Sequence, residues 1–148
     1  MNLDLTALLP KAIAWADAQA DIALTTGAVL NIAGIDAARS VGVQHPERVR
    51  VVVVDQIPAP DDPALRDAAV QTGLLGPNTA GLTLGHAVFI RRGHEHDRCL
   101  LRHELRHVHQ YEVAGSVGAF LAQYLREILA CGYLNAPLEQ DARAHELS

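Results

Sequence analysis

The sequence predicts an α+β fold, mainly helical, with a small sheet beside a metal-binding helix. Three observations carry this. Apolar residues recur at helical spacing over 5–24, 97–114 and 117–129; two apolar runs, 48–55 and 82–92, read as strands; and a His-Glu-x-x-His segment, residues 103–107, lies inside one of the helical patterns. A chain of 148 residues makes one domain able to bury roughly two-thirds of its unfolded surface. Residues 1–42 form a helical N-terminal part, and 43–148 supply the sheet and the metal-binding helices.

Taken in order, residues 5–24 are rich in Ala and Leu, with Asp17 and Asp21 on the polar side, Pro10 tolerated near the start and Trp15 packing inward. A second helical piece spans 35–41 between Gly34 and Gly42. Val49 and Val51 to Val54 form a β-branched run that reads as a buried strand over 48–55. Pro58, Pro60 and Pro63 with Asp61 and Asp62 make a loop before a short helix at 64–72. Gly73, Gly76, Pro77, Asn78 and Gly81 connect it to the second strand, 82–92, which Arg91 and Arg92 end. Asp97 is a natural N-cap for a helix free of Gly and Pro as far as Ala114. Gly115 and Gly118 break or thin that helix. Val117, Phe120, Leu121, Tyr124, Leu125, Ile128 and Leu129 then form a core stripe that Gly132 ends as a C-terminal cap. Asn135 or Ala136 caps a last helix with Pro137 in its first turn.

The chemistry sits at His103, Glu104 and His107. Positions four apart differ by only about 40° around a helix, so both imidazoles reach one metal ion. Glu104 lies about 100° from His103, too far round for a third ligand but placed to act as general base on the attacking water. Leu100, Leu101, Glu104, Leu105, His107, Val108 and Tyr111 share the buried side. A helix that turns His and Glu inward needs a partner for them, and a metal supplies one.

The third ligand lies elsewhere. A His-Glu-x-x-His-x-x-Gly-x-x-His continuation is excluded, because Gln110 and Val113 stand at its last two fixed positions. His109 points about 160° away from His107 and reads as a solvated surface residue. A carboxylate on a later helix remains, and residues 135–143 offer one.

The run from Thr83 to Arg143 resembles a minimal gluzincin, a small bacterial zinc metallopeptidase. It carries Thr-Leu-Gly-His, then Leu-Leu-Arg-His-Glu-Leu-Arg-His-Val-His-Gln-Tyr, then Asn-Ala-Pro-Leu-Glu-Gln-Asp-Ala-Arg, over roughly the C-terminal 60 residues. The resemblance implies that His103, His107 and Glu139 bind Zn2+ and that Glu104 is the catalytic base. It also implies that the strand before the active-site helix is the sheet edge to which an extended peptide or protein substrate adds. One position departs from the pattern: Arg143 stands where gluzincins often carry an Asp that orients a zinc-bound His. Asp141 is a substitute for that role, and Glu146 is the leading rival ligand, ahead of Asp141 and His145. Tyr111, Tyr124, Tyr133, Arg143 and His145 are candidates to donate to the tetrahedral oxyanion, with Tyr111 ranked as packing behind the ligands.

A net charge of −5 and two Phe argue against a nucleic-acid surface. There is no long uncharged apolar run for a membrane and no basic leader before an apolar stretch in Met-Asn-Leu-Asp-Leu-Thr, so a cytoplasmic enzyme is expected. Cys99 and Cys131 read as small buried hydrophobes. His94 and His96 read as exposed loop residues rather than a second metal site, and Asp55, Asp61 and Asp62 as solvated turn acids rather than a calcium site. Two further readings stand beside the peptidase: a non-catalytic zinc-stabilised binding module, and a latent peptidase covered by its N-terminal segment.

Overall fold

A computed structural model describes residues 4–147; the first three residues of the expected leaderless N-terminus lie outside them. The order is α1 (Leu5–Thr26), α2 (Ile32–Ser40), a 3₁₀ turn at Pro46–Arg48, β1 (Arg50–Val54), α3 (Pro63–Gln71), β2 (Gly81–Leu84), β3 (Ala87–Arg91), α4 (Arg98–Ala114), α5 (Val117–Cys131) and α6 (Pro137–Ala144). The architecture is α+β and mainly helical, with one three-stranded mixed sheet.

The strands lie in the order β1-β3-β2, with β3 parallel to β1 and antiparallel to β2. The expected single strand over 82–92 is therefore a hairpin. Leu84 pairs with Ala87 across Gly85 and His86, and Gly85 adopts φ 67°, the positive value that a two-residue hairpin loop demands at its first position. The strand at 48–55 is also not the buried one. β1 is half-buried along its length because it lies at the edge, where only a short bridge from Ala28 to Val51 covers it. The fully enclosed strand is β3. Its Ala87 and Phe89 face a cluster built with α1 and α5, while Val88 and Ile90 face one built with α2 and α4, so its uninterrupted apolar run is explained by burial on both faces.

Helix ends follow local chemistry. Asp97 accepts the Leu100 N–H at 3.0 Å to cap α4, and Gly115, at φ 93°, closes it in the left-handed conformation that glycine adopts without Cβ strain. Pro137 opens α6 behind Ala136, which offers no side-chain cap. Residues 4–42 are not an appendage: Ala12, Ala16, Ala20 and Ala23 of α1 belong to one core cluster, and Ala38 and Val41 to the other.

Candidate metal centre

Two helices converge on one point. His103 and His107 project from successive turns of α4, and Glu139 projects from the first turn of α6. All three are buried, Glu139 to 2% exposure. The carboxylate bridges the two rings, with Oε1 at 3.1 Å from His103 Nε2 and Oε2 at 3.0 Å from His107 Nε2. One ligand atom from each residue lies within 4.8 Å of the others, and among the described residues this is the one such group of His, Cys, Asp or Glu. Ligand atoms bound at about 2.0–2.1 Å in a tetrahedron sit about 3.3 Å apart. The two N-to-O separations are close to that, and two imidazoles with a carboxylate are a donor set suited to zinc, so the residues fit the ion.

The ring nitrogens that face away from the centre are all occupied. His103 Nδ1 donates to Glu146 at 2.9 Å, and His107 Nδ1 donates to the Gln110 amide oxygen at 2.7 Å. Gln110 is held in turn, its Nε2 donating to the Leu138 carbonyl at 3.0 Å and to Asp141 at 2.8 Å. Arg106 closes the network by donating to Asp141 at 2.8 Å. Such outer hydrogen bonds fix the tautomer and leave Nε2 free for a metal. Tyr124 donates its hydroxyl to Glu139 Oε2 at 2.7 Å, which orients the carboxylate from the side of α5.

Protonation follows from these contacts. Burial disfavours a charged His103, but the hydrogen bond to Glu139 and the neighbouring carboxylates Glu104 and Glu146 prevail and hold its pKa up at about 9. His107 is raised for the same reasons. Glu139 is pulled well below the usual carboxylate range, because two imidazoles and Tyr124 overcome the cost of burying its charge.

Glu104 stands beside this group without joining it. Its carboxylate is buried, and burial raises its pKa against the pull of His107 and His103. Thr83 of β2 donates its hydroxyl to Glu104 Oε1 at 2.7 Å. Gly81, two residues earlier, lets the strand pass close: a Cβ there would lie 2.9 Å from Glu104 Oε2. Both sides of this contact open onto a cavity of about 830 Å³ whose lining includes His103, Glu104, His107 and Glu139.

Several expectations change. Glu146 and Asp141, the rival candidates for third ligand, stand outside the group of His103, His107 and Glu139: Glu146 bonds the outer nitrogen of His103, and Asp141 bonds Gln110, which bonds His107. Arg143 directs its guanidinium to the Leu134 carbonyl. His145 donates to the Asp141 carbonyl at 2.8 Å and does not line the cavity. Tyr111 lies behind the site, its hydroxyl donating to the Thr83 carbonyl at 3.2 Å, whereas Tyr133 and Arg143 line the cavity. His109 is half-buried rather than solvated, because its Nδ1 donates to the Gly42 carbonyl at 2.8 Å. Cys131 is exposed at the end of α5, Cys99 is half-buried, and neither is bridged. Asp55 pairs with Arg92, and Asp62 caps α3 and pairs with Lys11. Two residues that the sequence pattern does not single out also reach the site: Thr83, which bonds Glu104, and Gln110, which bonds His107. The available signal for Gln110 was its spacing of three from His107, which puts it on the same helix face.

Comparison with protein-family models, curated proteins and solved structures returned no match. Among the described residues, no helix is long and apolar enough to cross a membrane.

Proposed function

We propose that the protein is a zinc-dependent metallopeptidase of gluzincin type. The observation that supports it best is the convergence of His103, His107 and Glu139 at a cavity wall with an adjacent carboxylate, Glu104, that is held by Thr83 rather than by the ligands.

Zinc in that sphere supplies a Lewis acid that brings the acidity of water toward neutrality and polarises a carbonyl. Glu104 takes the proton from the water as it attacks a peptide carbonyl and passes it to the leaving amine. Thr83 fixes the carboxylate during both transfers. Tyr133, beside Glu139, and Arg143, which gives one N–H to the Leu134 carbonyl and keeps others, line the cavity and are the candidate donors for the tetrahedral oxyanion; Tyr111 and Tyr124 each spend their one O–H on Thr83 and Glu139, and His145 lies off the cavity. The edge to which a substrate strand would add is β2, because β3 is paired on both sides and β1, at the other edge, is bridged by Ala28 and does not line the cavity. Tyr111 already engages the Thr83 carbonyl, which leaves the backbone around Gly81 to pair.

A binding module with a closed sphere would need a fourth protein ligand. Glu146 and Asp141, the nearest candidates, are tied to His103 Nδ1 and to Gln110 and Arg106, which favours an open position. α1 supports the peptidase reading over the latent one, because it forms a wall of the cavity and part of the core rather than a detachable cover. The test is Glu104→Gln in the full chain: zinc content unchanged and hydrolysis of an unfolded protein substrate abolished. Wild-type turnover in that variant overturns the reading.

A further inference from the structure

Every charged residue and every histidine lining the cavity comes from α4, its N-cap Asp97, or α6 and the two residues after it. The opposite wall, drawn from α1, α3, the loop after α3, β2 and α5, contributes none. It is built from side chains such as Trp15, Leu65, Leu75, Phe120, Leu125 and Ile128. The apolar surface also continues outward: Val70, Leu129 and Leu134 line the same cavity and are 57%, 38% and 71% exposed, so that wall and rim together form an apolar patch of the kind that marks a binding surface, unlike apolar side chains exposed singly. An occupant carrying a charge against that wall would find no counter-ion and would lose its hydration without compensation. A volume of about 830 Å³ also exceeds what one side chain fills, and lies in the range of sites that enclose a small molecule or several residues.

From this charge asymmetry we infer that the cavity takes a polypeptide segment with several consecutive uncharged, large aliphatic or aromatic side chains, laid against the wall of α1, α3 and α5 with its backbone toward Glu104. The inference rests on the peptidase reading and specifies its substrate class. Apolar area supplies affinity, since each Leu or Phe side chain laid on the wall is removed from water. Selectivity arises on the same wall by exclusion of charge.

The test uses the zinc-loaded full chain carrying Glu104→Gln, so that binding is read without turnover. The probe is an uncharged, blocked tripeptide of leucine and phenylalanine, compared with a blocked tripeptide of aspartate and serine and with an alkyl amide of matching volume. Trp15, the chain's single tryptophan, reports on the wall through its fluorescence. The expected result is a change in Trp15 emission with the apolar tripeptide at a Kd at least tenfold below those of both other compounds. Adding Leu134→Glu or Val70→Glu, both at exposed positions that leave the core intact, is expected to weaken that binding at least threefold. Equal affinity for the acidic tripeptide, tighter binding of the alkyl amide, or no effect of either rim substitution overturns the inference. Hydrolysis is scored separately on the wild type: binding of the apolar tripeptide without cleavage of any peptide counts against the peptidase and leaves the apolar site standing.

Discussion

His107 donates its Nδ1 proton to the Gln110 amide oxygen, three residues along the same helix, in a 2.7 Å hydrogen bond. The amide cannot turn over, because its nitrogen is committed to the Leu138 carbonyl and Asp141. One face of the imidazole is thereby assigned, and Nε2 is left toward Glu139.

Replacing Gln110 by Leu, similar in size but without acceptor or donors, is expected to weaken zinc binding about 10–100-fold. The secondary structure should persist, since Gln110 belongs to neither apolar cluster. Competition with a chromophoric chelator measures the affinity, and an unchanged value removes Gln110 from the metal-orienting network.

The ligand set is tested by composition. Wild-type protein prepared without chelator is expected to carry about one zinc per chain, and His107→Ala and Glu139→Ala to lose it with at least a hundredfold drop in affinity. Saturating zinc at about 100 times its Kd should stabilise the wild type by roughly 2.7 kcal/mol, seen as a rise in Tm that both variants lack. Glu139→Ala with wild-type metal content would return the third-ligand role to another residue.

Thr83→Val keeps the shape of the side chain and removes the hydroxyl that holds Glu104. Zinc content is expected to stay at the wild-type level while kcat/KM falls about tenfold, equivalent to about 1.4 kcal/mol in the barrier. Thr83→Ser should recover most of it. An equal loss in both variants would point to packing rather than to the hydroxyl.

Gly81→Ala places a methyl group 2.9 Å from Glu104 Oε2 and 3.0 Å from its Cγ and Cδ. Because Thr83 pins the same carboxylate, the side chain has little room to withdraw. Hydrolysis is expected to fall more than tenfold with metal content intact, and a crystal structure should show Glu104 displaced.

Glu112 gives a pH dependence away from the metal. It accepts the backbone N–H groups of Gln44 and His45 and the ring of His86. Burial opposes its ionisation, yet these donors prevail and lower its pKa below 4.5. A carboxylate whose folded pKa is depressed adds stability above its unfolded pKa and forfeits it as pH falls through the folded value. Glu112→Gln should therefore destabilise the protein at pH 7 by about 2 kcal/mol, with the gap from wild type narrower at strongly acidic pH, where the carboxylate is protonated. Calorimetry at both pH values decides it; a gap that does not narrow in acid assigns the effect to shape.

The α4 pair was legible because two histidines four apart need only the helix geometry of their own segment to share a face, and Asp97, Gly115 and Gly132 mark helix ends by local chemistry. Glu139 was reachable only through resemblance, since nothing local ties α6 to α4. Glu146 matched the face of Glu139 on an ideal helix, but α6 ends at Ala144, and the turn beyond it carries Glu146 to the outer nitrogen of His103. The hairpin was hidden because Gly85 and His86 interrupt an otherwise continuous apolar run, and a β-branched stretch such as β1 does not disclose whether it sits at an edge or in the middle. The role of Thr83 depends on how β2 meets α4, a long-range relationship with no trace in spacing.

The distribution of charge around the cavity has an implication for redesign. Apart from Thr83 and Gly81, the proposed reactive groups and their supports are gathered in the last third of the chain, whereas Leu65, Val70 and Leu75 belong to a stretch that carries none of them. Selection pressure, natural or in the laboratory, can thus rewrite what the protein prefers to hold by altering residues 65–80, while the proposed catalytic and metal-binding groups stay as they are.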